Sequence, residues 1–124
     1  MDPQLLAAMY ARSAKLLLAN LEGVTDEQAL WQQSPDVNNI NWLVGHLVNG
    51  RCRIGIMLGV EPVWDADTRE VYKNGAARLM ADSAGIVPLS RAITDFAFIS
   101  EATGAALQAL APDALLAPAD DARF

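Results

Sequence analysis

The stretch that decides the fold is Asn39-Ile40-Asn41-Trp42-Leu43-Val44-Gly45-His46-Leu47. Beyond it, apolar residues recur at spacings of three and four through Ile54 and Met57, which is the periodicity of an amphipathic helix. Asn38 or Asn39 can cap the start, and Gly59 ends the pattern. We therefore predict a helix of about 19 residues, or roughly 28 Å.

Two elements precede this helix. Asp2 and Pro3 are typical of a helix start, so a first helix is expected from Pro3 to about Leu21, with Gly23 as the residue that ends it. Thr25-Asp26-Glu27-Gln28 is a capping box, which predicts a short helix from Asp26 to about Gln33 that packs Leu30 and Trp31.

A third long helix is expected from Pro88 to about Leu110. Its apolar seam is polar at Ser100 and Thr103, so its middle faces either a polar cavity or, through hydroxyl hydrogen bonds, a neighbouring helix, and we favour the helix contact. Residues 60–87 form a long connection with weak helical turns at 68–73 and 76–84. No strand-like alternation occurs, and the fold class is all-α.

Composition limits both the class of protein and its chemistry. The chain has 124 residues, 52% hydrophobic and 19% charged, with a net charge of −6, which suits a single globular domain over 1–124. The scattered Lys and Arg residues give no basic stripe for nucleic acid. No apolar run is long enough for a membrane span, and the N-terminus lacks the basic residues of a secretory signal. We expect a cytoplasmic protein.

The quoted stretch resembles the second-helix signature of the DinB/YfiT-like superfamily, in which a tryptophan precedes a His-Leu pair by four residues. The resemblance implies an up-down-down-up helical bundle with a long crossover between the second and third long helices. Family members hold a divalent metal, often nickel or zinc, with three histidines, one on the second helix and two on the fourth. Those with known activity resemble transferases or isomerases that use bacillithiol, mycothiol or glutathione.

His46 alone carries over from that metal site. The paired histidines and the fourth long helix have no counterpart before Phe124, so we expect this helix to be missing or truncated and the metal site to be incomplete. His46 is either one metal ligand or a satisfied, partly buried histidine, and the residues favour the second. Trp42 and Asn49 share its helix face and are the candidate cofactor-binding residues. No catalytic residue is assigned.

Other reactive side chains have simpler interpretations. Cys52 is expected to be a buried, inert thiol, and it lies on the opposite side of the helix from His46. Asp65, Asp67 and Glu70 are either paired carboxylates for acid–base catalysis or, as we favour, solvated loop charges. The carboxylates considered as additional metal ligands are Glu61, Asp65, Asp67, Glu70, Asp120 and Asp121. The three tryptophans, Trp31, Trp42 and Trp64, are expected to anchor the core rather than stack on a ligand.

Two functions of different classes follow. The first is a metal-dependent, thiol-using transferase or isomerase, or a remnant of one, with His46 as a ligand. The second is a non-catalytic helical module that self-associates through the apolar face left open by the missing helix, which predicts a homodimer.

Overall fold

The computed structural model describes residues 2–116, and within them it is helical without any strand. The helices are α1 (Pro3–Asn20), α2 (Asp26–Ala29), α3 (Ile40–Met57), α4 (Ala66–Val71) and α5 (Leu89–Gln108), followed by a 3-10 turn at Ala114–Leu116. This confirms the all-α prediction, and α1, α3 and α5 are the three predicted long helices. No helix in this part of the chain is long and apolar enough to cross a membrane. The expected absence of a fourth long helix concerns residues 117–124, outside the described residues.

Helix α5 is the central element. Both α1 and α3 pack along it, and they hardly contact each other. Asn41 near the start of α3 bonds the backbone just before α5, and Gly55 near the end of α3 lies against Thr103, so α3 and α5 run parallel. Helix α1 runs the other way, because its C-terminal Leu21 lies beside Ile93. The three long helices therefore have the up-down-down order.

The α3–α5 contact decides between the alternatives for Thr103. The Ser100 and Thr103 side chains are both buried, and neither hydroxyl has a hydrogen-bond partner among the described residues. The Thr103 hydroxyl oxygen lies 3.3 Å from the position that a Cβ on Gly55 would occupy. Thr103 therefore faces α3, which is the favoured helix contact, and Gly55 permits the close approach. The expected hydroxyl hydrogen bonds across this contact are not present among the described residues.

The helix ends follow the predicted capping chemistry. Asp2 accepts from the Gln4 amide, and Asn39, rather than Asn38, accepts from the Trp42 amide to start α3. Thr25 and Gln28 form both bonds of the predicted capping box. Helix α1 ends at Asn20, and Gly23 has a φ of 82°, which favours glycine in the turn that follows.

Two predicted helical segments were wrong. Helix α2 ends at Ala29 instead of Gln33, and Trp31 is 71% exposed rather than packed, because the fully buried Ala29 faces the core in its place. Residues 76–84 are not helical. There the Leu79 side chain is buried and its carbonyl accepts from Asn39, so tertiary contacts take the place of helix bonds.

The long connection between α3 and α5 lies against the helices. Trp64 is buried and its indole N–H donates to an Asp95 carboxylate oxygen at 2.8 Å, while Tyr72 is fully buried against α3. Helix α4 covers most of the first predicted weak turn. Trp64 therefore confirms the prediction of a core anchor, and the connection holds the parallel α3–α5 pair in place.

Candidate functional site

His46 and Trp42 form the centre of the candidate site. They lie one turn apart on α3, and their rings stack with centroids 4.6 Å apart and an interplanar angle of 11°. Both side chains are half-buried. The predicted common face of Trp42 and His46 is thus present, and the stack fixes the plane of the imidazole.

A backbone carbonyl fixes the tautomer of His46. Its Nδ1 lies 2.9 Å from the Tyr72 carbonyl oxygen, which can only accept a hydrogen bond. Nδ1 therefore carries a proton, and in the neutral ring Nε2 holds the lone pair. This arrangement is typical of histidines that bind a metal or accept a proton through Nε2.

Tyr72 holds that carbonyl in position through its own side chain. The Tyr72 hydroxyl donates to Asn41 Oδ1 and accepts from the Val87 amide, both at 2.8 Å, and Asn41 Nδ2 donates to the Val87 carbonyl at 2.7 Å. The ring fills the space beside Gly45, where a Cβ would overlap it. Burial raises the pKa of Tyr72, and the bond from the Val87 amide acts in the opposite direction.

The space at Gly45 therefore belongs to a protein side chain. A glycine inside a helix serves either close helix packing or, here, clearance for a ligand beside His46. At Gly55 the occupant is α5, which is close helix packing, whereas at Gly45 the occupant is the Tyr72 ring of the connection. At Gly50 no neighbouring element of the described residues comes within 4 Å of the position that a Cβ would occupy, so close packing does not apply there.

A cavity of about 510 Å³ lies between α3 and α4. Its described lining residues are Asn49, Arg53, Ile56, Ala66, Arg69, Glu70, Lys73 and Asn74. His46 is not among them, but Asn49 follows it by three positions on the same helix, and Lys73 directly follows Tyr72, whose carbonyl contacts His46 Nδ1. Trp42 is not among these lining residues; its contact is with His46.

Comparison with known proteins shows which family the chain belongs to. A family model described as the DinB superfamily matches residues 9–124. The chain belongs to the DinB superfamily. This match confirms the predicted resemblance to the DinB-like family over nearly the whole chain. Comparison with curated proteins and with solved structures found no match.

The metal that the DinB-like resemblance implies needs more ligands than the described residues provide. Within residues 2–116, no group of three His, Cys, Asp or Glu side chains is placed to hold a metal ion. His46 has the tautomer of a ligand but supplies one donor, whereas a tight site needs three or four. Asp120 and Asp121 lie outside the described residues. The described part of the chain does not fit a complete metal centre.

The cysteine and the carboxylates have structural surroundings. Cys52 is fully buried, and this burial raises its pKa, so the thiol stays protonated at neutral pH. Asp65 caps α4, and the Thr68 amide that it accepts from lowers its pKa. Glu70 forms an ion pair with Lys73 at the surface. The predictions of a buried thiol and of solvated carboxylates are confirmed for these residues.

The sequence pointed to His46 but missed the residues that organise its surroundings. Tyr72 lies 26 positions away, inside a segment expected to be a weak turn. No local pattern indicates that its carbonyl will meet His46. The sequence does indicate two of the cationic lining residues, because Arg69 and Lys73 are four residues apart and share a face if that segment is helical.

Proposed function

We propose that this DinB-like protein binds a small anionic thiol in the cavity between α3 and α4 and activates its sulfur for transfer. One observation carries the proposal. Among the described lining residues, Arg53, Arg69 and Lys73 are cationic and Glu70 alone is acidic, in a chain whose net charge is −6. A concave site of locally reversed charge concentrates anions.

Low-molecular-weight thiols such as glutathione and bacillithiol match this charge, because they carry carboxylates in addition to the sulfur. Lys73 is held by Glu70, and Arg69 is held by a bond from its Nε to the Trp64 carbonyl at 3.2 Å. These contacts place two cations before the ligand arrives, which reduces the entropy lost on binding. Asn49 supplies an amide in the same wall.

His46 provides the acid-base group in this proposal. The thiol S–H bond breaks, its proton moves to Nε2 of His46, and the electron pair stays on sulfur. The Nδ1–H bond to the Tyr72 carbonyl stabilises the resulting imidazolium, and nearby cations stabilise the thiolate. The thiolate then attacks an electrophilic carbon and forms the S–C bond while the bond from that carbon to its leaving group breaks. The leaving group departs with the electron pair of the broken bond and takes up the proton from Nε2 of His46.

Calorimetric titration with reduced glutathione and with bacillithiol tests the binding step. Lys73→Gln is expected to weaken binding about tenfold, which corresponds to roughly 1.4 kcal/mol. Lys15→Gln, on the exposed side of α1, removes the same charge from the chain and is the matched control. Equal affinities for Lys73→Gln and Lys15→Gln, or no binding of either thiol by the wild type, would contradict the proposal.

The proton-transfer step has a separate readout. Titration of the bound thiol, followed by the ultraviolet absorbance of its thiolate, is expected to show a lower pKa in the wild type than in His46→Gln. The rate of thiol transfer to 1-chloro-2,4-dinitrobenzene is expected to fall in the same variant while thiol affinity changes little. An unchanged thiol titration in His46→Gln would exclude the histidine from this role.

Metal binding by His46 and the predicted homodimer are proposals of their own. Metal analysis of the protein purified without a histidine tag tests the first, and a metal content that survives His46→Ala would exclude His46 as a ligand. Light scattering of the whole chain tests the second. A non-catalytic module that self-associates would show a dimer mass and no thiol binding.

A further inference from the structure

Three buried asparagines belong to α3 or to its cap, and the fold uses two of them fully. Asn39 caps the helix with its side-chain oxygen and donates from its nitrogen to a backbone carbonyl of the connection. Asn41 accepts from the Tyr72 hydroxyl and donates to the carbonyl just before α5. Both atoms of each of these amides therefore have a partner within the protein.

Asn49, the third of them, has no such partners. It is only 4% exposed and lines the cavity between α3 and α4. Its side chain makes no hydrogen bond in the part of the chain that the structure describes. Its amide atoms are not enclosed as the Thr103 hydroxyl is, so they open onto the cavity. A buried amide without partners destabilises a fold, which indicates that this one is kept for a ligand.

The chemistry of a carboxamide limits what this ligand group can be. The oxygen of Asn49 only accepts hydrogen bonds, and its NH2 group only donates them. A carboxylate can accept from the nitrogen but leaves the oxygen unpaired. A secondary amide pairs with both atoms at once, because its carbonyl accepts and its N–H donates. Asn49 is therefore complementary to an amide.

The position of Asn49 relative to His46 fits one particular amide of a thiol ligand. Asn49 follows His46 by three positions on α3, so their Cβ atoms are about 5–6 Å apart. In a cysteinyl compound, the sulfur and the carbonyl carbon of the cysteine are three bonds apart, roughly 4 Å. A single ligand can therefore place its sulfur at His46 and its cysteinyl amide at Asn49.

We propose that Asn49 determines specificity by binding the amide on the carbonyl side of the cysteine in the ligand. Its Nδ2 donates to the amide carbonyl, and its Oδ1 accepts from the amide N–H. This inference rests on the proposed thiol-binding function. Glutathione and bacillithiol share this amide, which joins the cysteine to glycine in one and to an amino sugar in the other. Free cysteine has a carboxylate there, so Asn49 selects against it.

The cationic wall of the cavity accommodates the part of the ligand that follows the amide. Tyr72 lies beside Gly45, one turn before Asn49 on α3, so the adjacent Lys73 lies at the same end of the cavity as Asn49. In both thiols a carboxylate lies beyond the amide. The ligand thus meets an acid–base group, an amide and a cation in the order of its own sulfur, amide and carboxylate.

The test uses analogues in which this amide is an ester. For glutathione the analogue is the glycolate ester of γ-glutamylcysteine, and for bacillithiol it is the corresponding ester of glucose. The ester lacks the N–H, whereas the sulfur, the carboxylates and the length are kept. In calorimetric titrations of the whole chain, the ester of each bound thiol is expected to bind about tenfold more weakly than the amide.

Two variants assign this preference to one residue. Asn49→Leu is expected to bind the amide and the ester with equal affinity, because the side chain that distinguishes them is gone. Asn74→Leu is the matched control, since Asn74 carries an exposed amide that lines the same cavity. It is expected to keep the preference for the amide.

Unfolding temperatures separate binding from a structural role. Asn49→Leu replaces a buried amide that has no partner within the described residues, so its Tm is expected to equal or exceed that of the wild type. Asn41→Leu removes the partner of the Tyr72 hydroxyl and is expected to lower the Tm. If Asn49→Leu lowers the Tm as much as Asn41→Leu does, Asn49 belongs to the fold and the inference fails.

The remaining outcomes distinguish this inference from the function on which it rests. Equal affinities of the wild type for amide and ester, with the dependence on Lys73 intact, would overturn the inference and leave the proposed function in place. A preference for the amide that persists in Asn49→Leu would overturn it as well, because another residue would then make the contact. No binding of either thiol would remove the proposed function and this inference together.

Discussion

Gly45 is the residue at which α3 comes closest to the connection. Gly45→Ala is expected to lower the free energy of unfolding by about 2 kcal/mol, because the added methyl group overlaps the buried Tyr72 ring. Gly50→Ala, on the same helix with open space around it, is expected to raise stability by about 0.5–1 kcal/mol through helix propensity. Urea unfolding of both variants measures this, and equal effects would mean that the Tyr72 ring yields freely.

Tyr72 is expected to make the free energy of unfolding fall at alkaline pH. Burial raises its pKa above the ordinary 10.0, so the folded protein holds the proton more tightly than the unfolded chain does. Its contribution is complete below about pH 10 and is lost as the pH rises through the folded pKa. The buried Cys52, whose pKa is also raised, adds to the same decline from about pH 9.

Tyr72→Phe is therefore expected to have two effects. At neutral pH it costs about 2 kcal/mol, because Asn41 and the Val87 amide lose their common partner. Above pH 10, the unfolding free energy is expected to fall less steeply than in the wild type. Urea titrations at several pH values measure both, with Tyr10→Phe as a control that retains the alkaline decline. Parallel curves for Tyr72→Phe and the wild type would contradict the assignment.

At the scale of the helix, the adjacent residues Asn38 and Asn39 have different roles: Asn39 caps α3, and Asn38 makes a hydrogen bond at the surface. Asn39 is buried, accepts from the Trp42 amide at the start of α3 and donates to the Leu79 carbonyl. Asn38 bonds only an exposed arginine side chain, Arg78, among the described residues. Asn39→Ala is expected to cost about 2 kcal/mol, and Asn38→Ala less than about 0.5 kcal/mol. Thermal unfolding measures both, and a reversed order would exclude Asn39 as the decisive cap.

Local chemistry made the helix starts predictable. Asp2, Thr25 and Asn39 act within three residues of themselves, so their patterns were readable before any packing was known. Helix length was less predictable where tertiary contacts decide it. The short α2 and the irregular residues 76–84 both depend on which side chains the core accepts, Ala29 in one case and Leu79 in the other.

In the candidate site too, some residues could be predicted from local sequence and others could not. His46, Trp42 and Asn49 belong to one helix, so their common side followed from spacing alone. The Tyr72 carbonyl and the cationic residues Arg69 and Lys73 come from a connection whose path the sequence does not encode locally. The tautomer of His46 and the charge of the cavity therefore required the structure.

For the whole molecule, the central position of α5 predicts where the backbone opens last. Because α5 packs against both α1 and α3, we expect its amides near Ile99 to exchange hydrogen slowest. Amides of residues 73–78 are mostly exposed and lie outside any helix, so we expect them to exchange fastest among the described residues between α1 and α5. Hydrogen-exchange mass spectrometry measures this, and slowest exchange in α1 instead of α5 would contradict the arrangement.

The parallel course of α3 and α5 also has a consequence for folding kinetics. A parallel pair cannot form as a hairpin, and the bond from Asn41 to the Val87 carbonyl joins residues 46 positions apart. The loop entropy of the connection must be lost before this pair gains its packing energy. Tyr72 bonds both Asn41 and Val87. We therefore expect the transition state for folding to form only after Tyr72 has packed between these two residues, and this packing to set the register of the two helices.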